Sequence, residues 1–116
     1  MNVRKLIRSF RFAGEGIWTV LKEQNLRFHV ASMVVVIAAA LLTGLSSMEW
    51  IILILLFALM IGGELMNTAI ERVVDLASPE IHPLAKQAKD VAAGAVLVFA
   101  CASVIIGLLI FLPKWL

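Results

Sequence analysis

Charge is scarce in this chain of 116 residues. Only 16% are Asp, Glu, Lys or Arg and 62% are hydrophobic, whereas a soluble domain carries about 25% charge. A chain this short has too much surface per volume to hide so much apolar side chain from water. That excludes a soluble monomeric enzyme and a disordered tail. Cysteine is limited to Cys101, inside an apolar run, so an intramolecular disulfide and a thiolate metal site are excluded. The net charge is only +2 and no low-complexity basic arm is present, so nucleic acid is not an expected partner. Neither G-x-x-x-x-G-K-S/T nor G-x-G-x-x-G after a strand occurs. Any nucleotide must therefore be held by lysine, metal and helix ends. No internal repeat is visible. What remains is an integral membrane protein of one domain, residues 1–116.

The apolar sequence divides into spans. Residues 1–28 carry six basic groups, Arg4, Lys5, Arg8, Arg11, Lys22 and Arg27, with Leu6, Ile7, Phe10, Ala13, Ile17, Val20 and Leu21 at helical spacing between them. This pattern predicts an amphipathic helix lying on a membrane surface, basic face toward anionic headgroups. No continuous apolar run precedes residue 30, so a cleavable signal peptide is not expected. Residues 30–45 form an uncharged run whose polar members are Ser32 and Thr43, and His29 and Ser46-Ser47 extend it toward the ~20 residues a span needs. Residues 50–63 are again uncharged, and their helical pattern continues to Ala77. Ser78-Pro79 stops that helix, because proline removes a donor and disfavours helix in the residue before it. Pro83 suits the first turn of the next helix, which runs through the apolar residues 91–112 to Pro113-Lys114-Trp115. The expectation is an all-α membrane fold: a surface helix over 1–28 and transmembrane helices over about 29–47, 49–77 and 83–113. Nine basic residues fall in the N-terminal segment and the 72–90 segment, against Lys114 alone at the C-terminus. The positive-inside rule then puts the N-terminus in the cytoplasm and the C-terminus outside.

The second span carries an acidic stripe. Glu64, Asn67, Glu71 and Asp75, spaced three, four and four apart, share a wedge of about 80° on a helix of 3.6 residues per turn. Glu64 lies fifteen residues past Glu49, about 22 Å along the axis at 1.5 Å per residue. In a hydrocarbon core about 30 Å thick this places it within the cytoplasmic leaflet, where an ionisable side chain is a functional candidate. One alternative is a polar face satisfied by helix–helix hydrogen bonds in an oligomer. Three carboxylates on one stripe, however, repel one another unless a cation sits among them, which favours a metal-binding and acid–base site at the inner interface. On the third span His82, Lys86 and Lys89 share a face, with Asp90 beside Lys89. These lysines suit snorkelling anchors or, opposite a carboxylate stripe, phosphate partners. Gly62-Gly63 and Gly94, inside apolar helices, are expected to serve close helix packing.

The string Glu64-Leu-Met-Asn67-Thr-Ala-Ile-Glu71-Arg-Val-Val-Asp75, followed by His82-Pro-Leu-Ala-Lys86-Gln-Ala-Lys89-Asp90-Val-Ala-Ala-Gly94, resembles the prokaryotic diacylglycerol kinase/undecaprenol kinase family. Glu23-Gln-Asn25 ahead of the first span agrees, and the resemblance covers nearly the whole chain. It implies a homotrimeric bundle with shared active sites, in the bacterial cell membrane, transferring the γ-phosphoryl of ATP to a lipid alcohol with Mg²⁺ as cofactor. Residue by residue, Glu64 resembles the catalytic base, and Glu23 and Glu71 the metal-binding carboxylates that also face nucleotide. Glu80, His82, Lys89 and Asp90 resemble nucleotide contacts, with Asn67 and Asp75 as supporting polar residues. Arg4 or Lys5 lies near an N-terminal basic contact, and Phe12 replaces an aromatic residue there. Gly16-Ile17-Trp18, Asn25-x-Arg27-x-His29, His82-Pro83-Leu84-Ala85-Lys86 and the tail from Gly107 to Lys114 resemble the Gram-positive branch, which implies undecaprenol as substrate, with diacylglycerol as the alternative. From other classes, a small proton-coupled exporter would want its carboxylate near the midplane and has no need of a second acidic and basic cluster at the surface. A membrane scaffold would need neither.

Overall fold

The structure is a computed structural model and describes residues 2–116. Four helices follow one another with short connections: α1 (Val3–Leu21), α2 (Gln24–Thr43), α3 (Ser47–Ala77) and α4 (Pro83–Trp115). Among the described residues there is no strand. The last three are long and apolar enough to cross a membrane.

Local chemistry sets each boundary. The Asn2 side chain caps α1 by accepting the Lys5 N–H at 3.2 Å. The helix stops at Leu21 because Glu23 adopts an extended backbone and begins α2 as its N-cap. The surface helix is thus shorter than expected, and α2 starts near residue 24 instead of 29. Arg27 and His29 therefore belong to the first spanning helix. At its other end Gly44 has φ of +81°, a left-handed conformation that side chains disfavour, so α2 closes four residues before the expected limit. Ser46 and Glu49 form a reciprocal capping box on α3, with Glu49 N–H donating to Ser46 Oγ at 3.2 Å and Ser46 N–H to Glu49 Oε1 at 2.9 Å. Pro83 occupies the first turn of α4, and that helix continues past Pro113 to Trp115.

Most of the apolar face of α1 meets no protein. Ile7 and Phe10 are 63% and 72% exposed, and of the whole helix only Val20 is buried. This is the geometry of a helix that needs a membrane surface to cover it. The helices α3 and α4 pack as a long antiparallel pair, with α2 against one end. A buried cluster of Ala40, Leu53, Ile110 and Phe111 joins all three. Beside it Trp115 Nε1 donates to Thr43 Oγ1 at 2.9 Å and Lys114 pairs with Glu49 at 3.0 Å, so this end is tied by polar contacts as well. Elsewhere Val35, Leu42, Ile54, Leu97 and Leu109 point outward, as they must where lipid is the solvent.

An α3 of 31 residues is about 46 Å long at 1.5 Å per residue and exceeds a hydrocarbon core of about 30 Å. Its last turns and the first turns of α4 therefore stand clear of lipid and carry the charged residues.

Of the three glycines expected to permit close packing, one does so. A Cβ on Gly63 would lie 2.9 Å from Phe99 Cδ2, while one on Gly62 or Gly94 meets nothing within 4 Å. Gly63→Ala should force Phe99 off its packed position, and overpacking of this kind costs about 1–3 kcal/mol. The expected outcome is a lower thermal-unfolding midpoint in detergent. An unchanged midpoint would show that the Phe99 ring swings aside freely.

Candidate active site

The carboxylate stripe of α3 is divided among three neighbours. Glu64 faces α2: it is 7% exposed, and its Oε1 lies 2.9 Å from His29 Nε2. A carboxylate can only accept, so the imidazole nitrogen is the donor. A charge taken out of water needs such a partner to persist. Glu64 is also where an acid–base group was expected from depth alone.

One turn further on, Asn67 Nδ2 donates to Glu71 Oε1 at 3.1 Å. The amide's other atom, Oδ1, is buried without a partner. Asn67 borders a hollow of about 320 Å³ between α3 and α4, whose wall includes Gly63, Ala92, Ala95 and Phe99. Arg72, the next residue after Glu71, turns toward the α1–α2 junction and pairs with Glu23. Glu23 is thus brought to the same level of α3 as Glu71, but its carboxylate is engaged by a guanidinium. Among the described residues no three His, Cys, Asp or Glu side chains converge as a ready-made metal cluster. Glu71 and the unpartnered Asn67 oxygen are hard-oxygen donors one turn apart on α3, with Glu23 held at that level by Arg72. That suits Mg²⁺, which usually takes one or two carboxylates and completes its shell with water and phosphate.

The third station lies at the α3–α4 turn. A hollow of about 310 Å³ is bordered by Asp75, Ser78, Glu80, His82, Lys86 and Lys89. Lys89 pairs with Asp75 at 2.5 Å and Lys86 with Asp90 at 2.6 Å. His82 is the N-cap of α4, its Nδ1 accepting the Leu84 N–H at 3.1 Å. At the start of α4 Pro83 has no N–H, and the Leu84 and Lys86 N–H groups are taken by His82, so the attraction for an anion here is that of Lys86 and Lys89. Both lysines are balanced here by carboxylates that a phosphate would displace or share.

Most residues singled out by sequence are gathered into these stations. Arg4 and Phe12 are not: both are exposed on α1, and Phe12 lies under the Arg11 guanidinium, 5.3 Å from its ring centroid. Two residues with site contacts were not singled out, His29 and Arg72. The sequence shows His29 only as an extension of the first span. The signal available was a titratable side chain at the edge of an uncharged run, which by itself justifies asking for its partner.

His29 also borders an apolar groove of about 470 Å³ along the seam of α2, α3 and α4, whose lining includes Met33, Leu56, Met60, Val104 and Phe111. On α4 it runs from Ala100 to Trp115, about 22 Å of helix at 1.5 Å per residue. The groove has the length and apolar lining that suit a long hydrocarbon chain, and it reaches His29, the partner of Glu64.

Comparison with known proteins places the chain among lipid kinases. The profile of the family "Prokaryotic diacylglycerol kinase" matches residues 11–111. An undecaprenol kinase of Bacillus subtilis is 53% identical over 114 residues, covering 97% of this chain and 93% of the relative. A diacylglycerol kinase of Synechocystis is 44% identical over 113 residues, covering 96% of this chain, which spans 65% of that protein's length. One from Sinorhizobium is 30% identical over 105 residues, covering 90% of this chain and 73% of the relative. With a family profile matching residues 11–111 and a relative 53% identical over nearly the whole length, the chain belongs to the prokaryotic diacylglycerol kinase family.

Proposed function

We propose that this protein is a Mg²⁺- and ATP-dependent kinase of the bacterial cell membrane that phosphorylates undecaprenol. The observation that carries the reading is the buried Glu64–His29 pair beside an apolar groove, with the donors of Glu71 and then the cations of Lys86 and Lys89 following along α3 and α4. The lipid chain lies in the groove, which brings its hydroxyl to the level of Glu64. ATP sits over the α3–α4 turn, its phosphates drawn by Lys86 and Lys89 with Asp90 and Asp75 orienting them. Glu80 and His82 border the nucleotide, and Arg4 and Phe12 of α1 approach it from the surface helix. Bound at Glu23, Glu71 and the Asn67 amide oxygen, Mg²⁺ would neutralise charge on the transferring group, as phosphoryl transfer requires.

The chemistry asked of the protein itself is proton removal and positioning. Glu64 takes the hydroxyl proton as the lipid oxygen bonds to the γ-phosphorus. The bond from that phosphorus to the β-phosphate oxygen breaks, and its electron pair leaves with ADP. Burial keeps water from competing for the phosphoryl group, so transfer prevails over hydrolysis.

Undecaprenol is favoured over diacylglycerol by the similarity to the Bacillus subtilis protein. Diacylglycerol remains the second reading, because the Synechocystis and Sinorhizobium relatives are named for it. We assign a cytoplasmic N-terminus and active site and an external C-terminus from the placement of basic residues. The active form in this reading is a homotrimer. The small residues Ala92 and Ala95, which border the hollow between α3 and α4, allow a neighbouring helix close approach.

Labelled ATP offered with undecaprenol and with diacylglycerol in lipid should yield labelled undecaprenyl phosphate as the main product. Preferential labelling of diacylglycerol would reverse the substrate order, and no labelled lipid would end the kinase reading. Glu64→Gln is nearly isosteric and should lower kcat at saturating lipid by about 10²–10⁴-fold, the usual contribution of a general base. Near-normal turnover would demote Glu64 to a packing residue. Glu71→Gln should raise the Mg²⁺ requirement or abolish turnover, while cross-linking in lipid still gives trimers. Full activity at low Mg²⁺ would remove Glu71 from the metal site, and cross-links stopping at dimers would remove the trimer.

A further inference from the structure

Most ionisable side chains that depart from the surface in this protein are accounted for by the reaction. His29 is not. It sits on the second turn of α2, its side chain 23% exposed, with Nε2 2.9 Å from Glu64 Oε1. It also borders the groove that receives the lipid chain, with Ser32 one turn further along. It thus pairs with the carboxylate and lines the groove as well. Glu64 Oε2, by contrast, takes none of the side-chain hydrogen bonds found among the described residues.

We propose that His29 is a positioning residue for the reaction: its Nε2–H donates to Glu64 Oε1, orients the carboxylate and leaves Oε2 free to take the lipid hydroxyl's proton. The proposal rests on the reading of Glu64 as the base. A glutamate side chain has three rotatable bonds, and in an apolar bundle little else restrains its head group. A hydrogen bond from a different helix fixes it, because the α2 backbone does not move with α3 side-chain torsions. His29 keeps its own proton throughout, and no relay through the imidazole is needed.

Geometry of this kind matters steeply, since a displacement of about 1 Å of a reacting group can lower rate roughly 10²-fold. In lipid, His29→Ala should therefore reduce kcat at saturating lipid by roughly 10²-fold, with the KM for ATP unchanged, because Lys86 and Lys89 lie at the far end of the site. His29→Gln presents an amide N–H at similar reach and should recover most of the loss. In a Glu64→Gln background, His29→Ala should reduce kcat no further, as expected when one residue acts through the other. A purely structural role predicts instead that folded yield and the KM for ATP deteriorate together and that glutamine gives no recovery. Wild-type kcat in His29→Ala, or a glutamine variant as slow as the alanine one, would overturn the proposal. Should His29→Ala not fold, His29→Gln decides alone: kcat within a few-fold of wild type supports the positioning bond, and a 10²-fold loss refutes it. A wild-type protein inactive on both lipids would instead remove the kinase reading and this proposal with it. An active wild type with an unaffected His29→Ala variant removes only the role of His29.

Discussion

A carboxylate that must remain available inside a bundle of apolar helices is the constraint around which this molecule is arranged. Glu64 lies too deep for water to solvate it, and a lone charge at that depth is unfavourable by several kcal/mol. The compensation comes from His29 on a different helix. That contact requires α2 to lie against α3 at this level. It also requires α2 to begin early enough, at Gln24, for His29 to fall on its second turn. The extended Glu23 residue between α1 and α2 provides that start, and Glu23 is itself held to α3 through Arg72. The surface helix, the first span and the second span are thus registered to one another by two polar contacts about two turns of α3 apart.

The remaining architecture places other charges at successive distances from this buried pair. Because α3 is much longer than the hydrocarbon core is thick, its polar residues grade from buried Glu64 through Glu71 to exposed Asp75. A membrane lipid and a soluble nucleotide can meet along such a gradient, each staying in its own solvent. At the opposite end, Trp115, Thr43, Lys114 and Glu49 tie the helices together beside the apolar cluster around Ala40 and Leu53. The bundle is therefore tied by polar contacts at the end away from the acidic stripe.

Sequence alone settled the class of protein, the number of spans and the position of the acidic stripe. Those follow from composition and from periodicities of 3.6 residues, which are local properties. The end of α3 and the start of α4 were legible because Pro79 and Pro83 act within a few residues of themselves, whereas α3 begins at Ser47, two residues before the expected start, with Ser46 as its cap and not part of the first span. The start of α2 was not legible, since the extended conformation at Glu23 leaves no proline or glycine as a mark. Gly62, Gly63 and Gly94 looked equivalent as packing glycines, yet only Gly63 has an aromatic ring against it. Which face of a glycine meets a neighbour depends on helix rotation, and an isolated glycine carries no record of that.

The stripe itself shows most clearly where local information ends. Spacing placed Glu64, Asn67, Glu71 and Asp75 on one side of a helix, and that holds for any α-helix with this sequence. Their partners are His29 for Glu64, Asn67 for Glu71 and Lys89 for Asp75, while Glu23 is engaged by Arg72. Two of these contacts join residues separated by 35 and 49 positions, which no periodicity relates. Residue types and their intervals determined that this protein places carboxylates at the edge of a membrane. Only the packing of α2 and α4 against α3 decided which of them is buried and paired with histidine, because partner choice depends on the distance and rotation between helices.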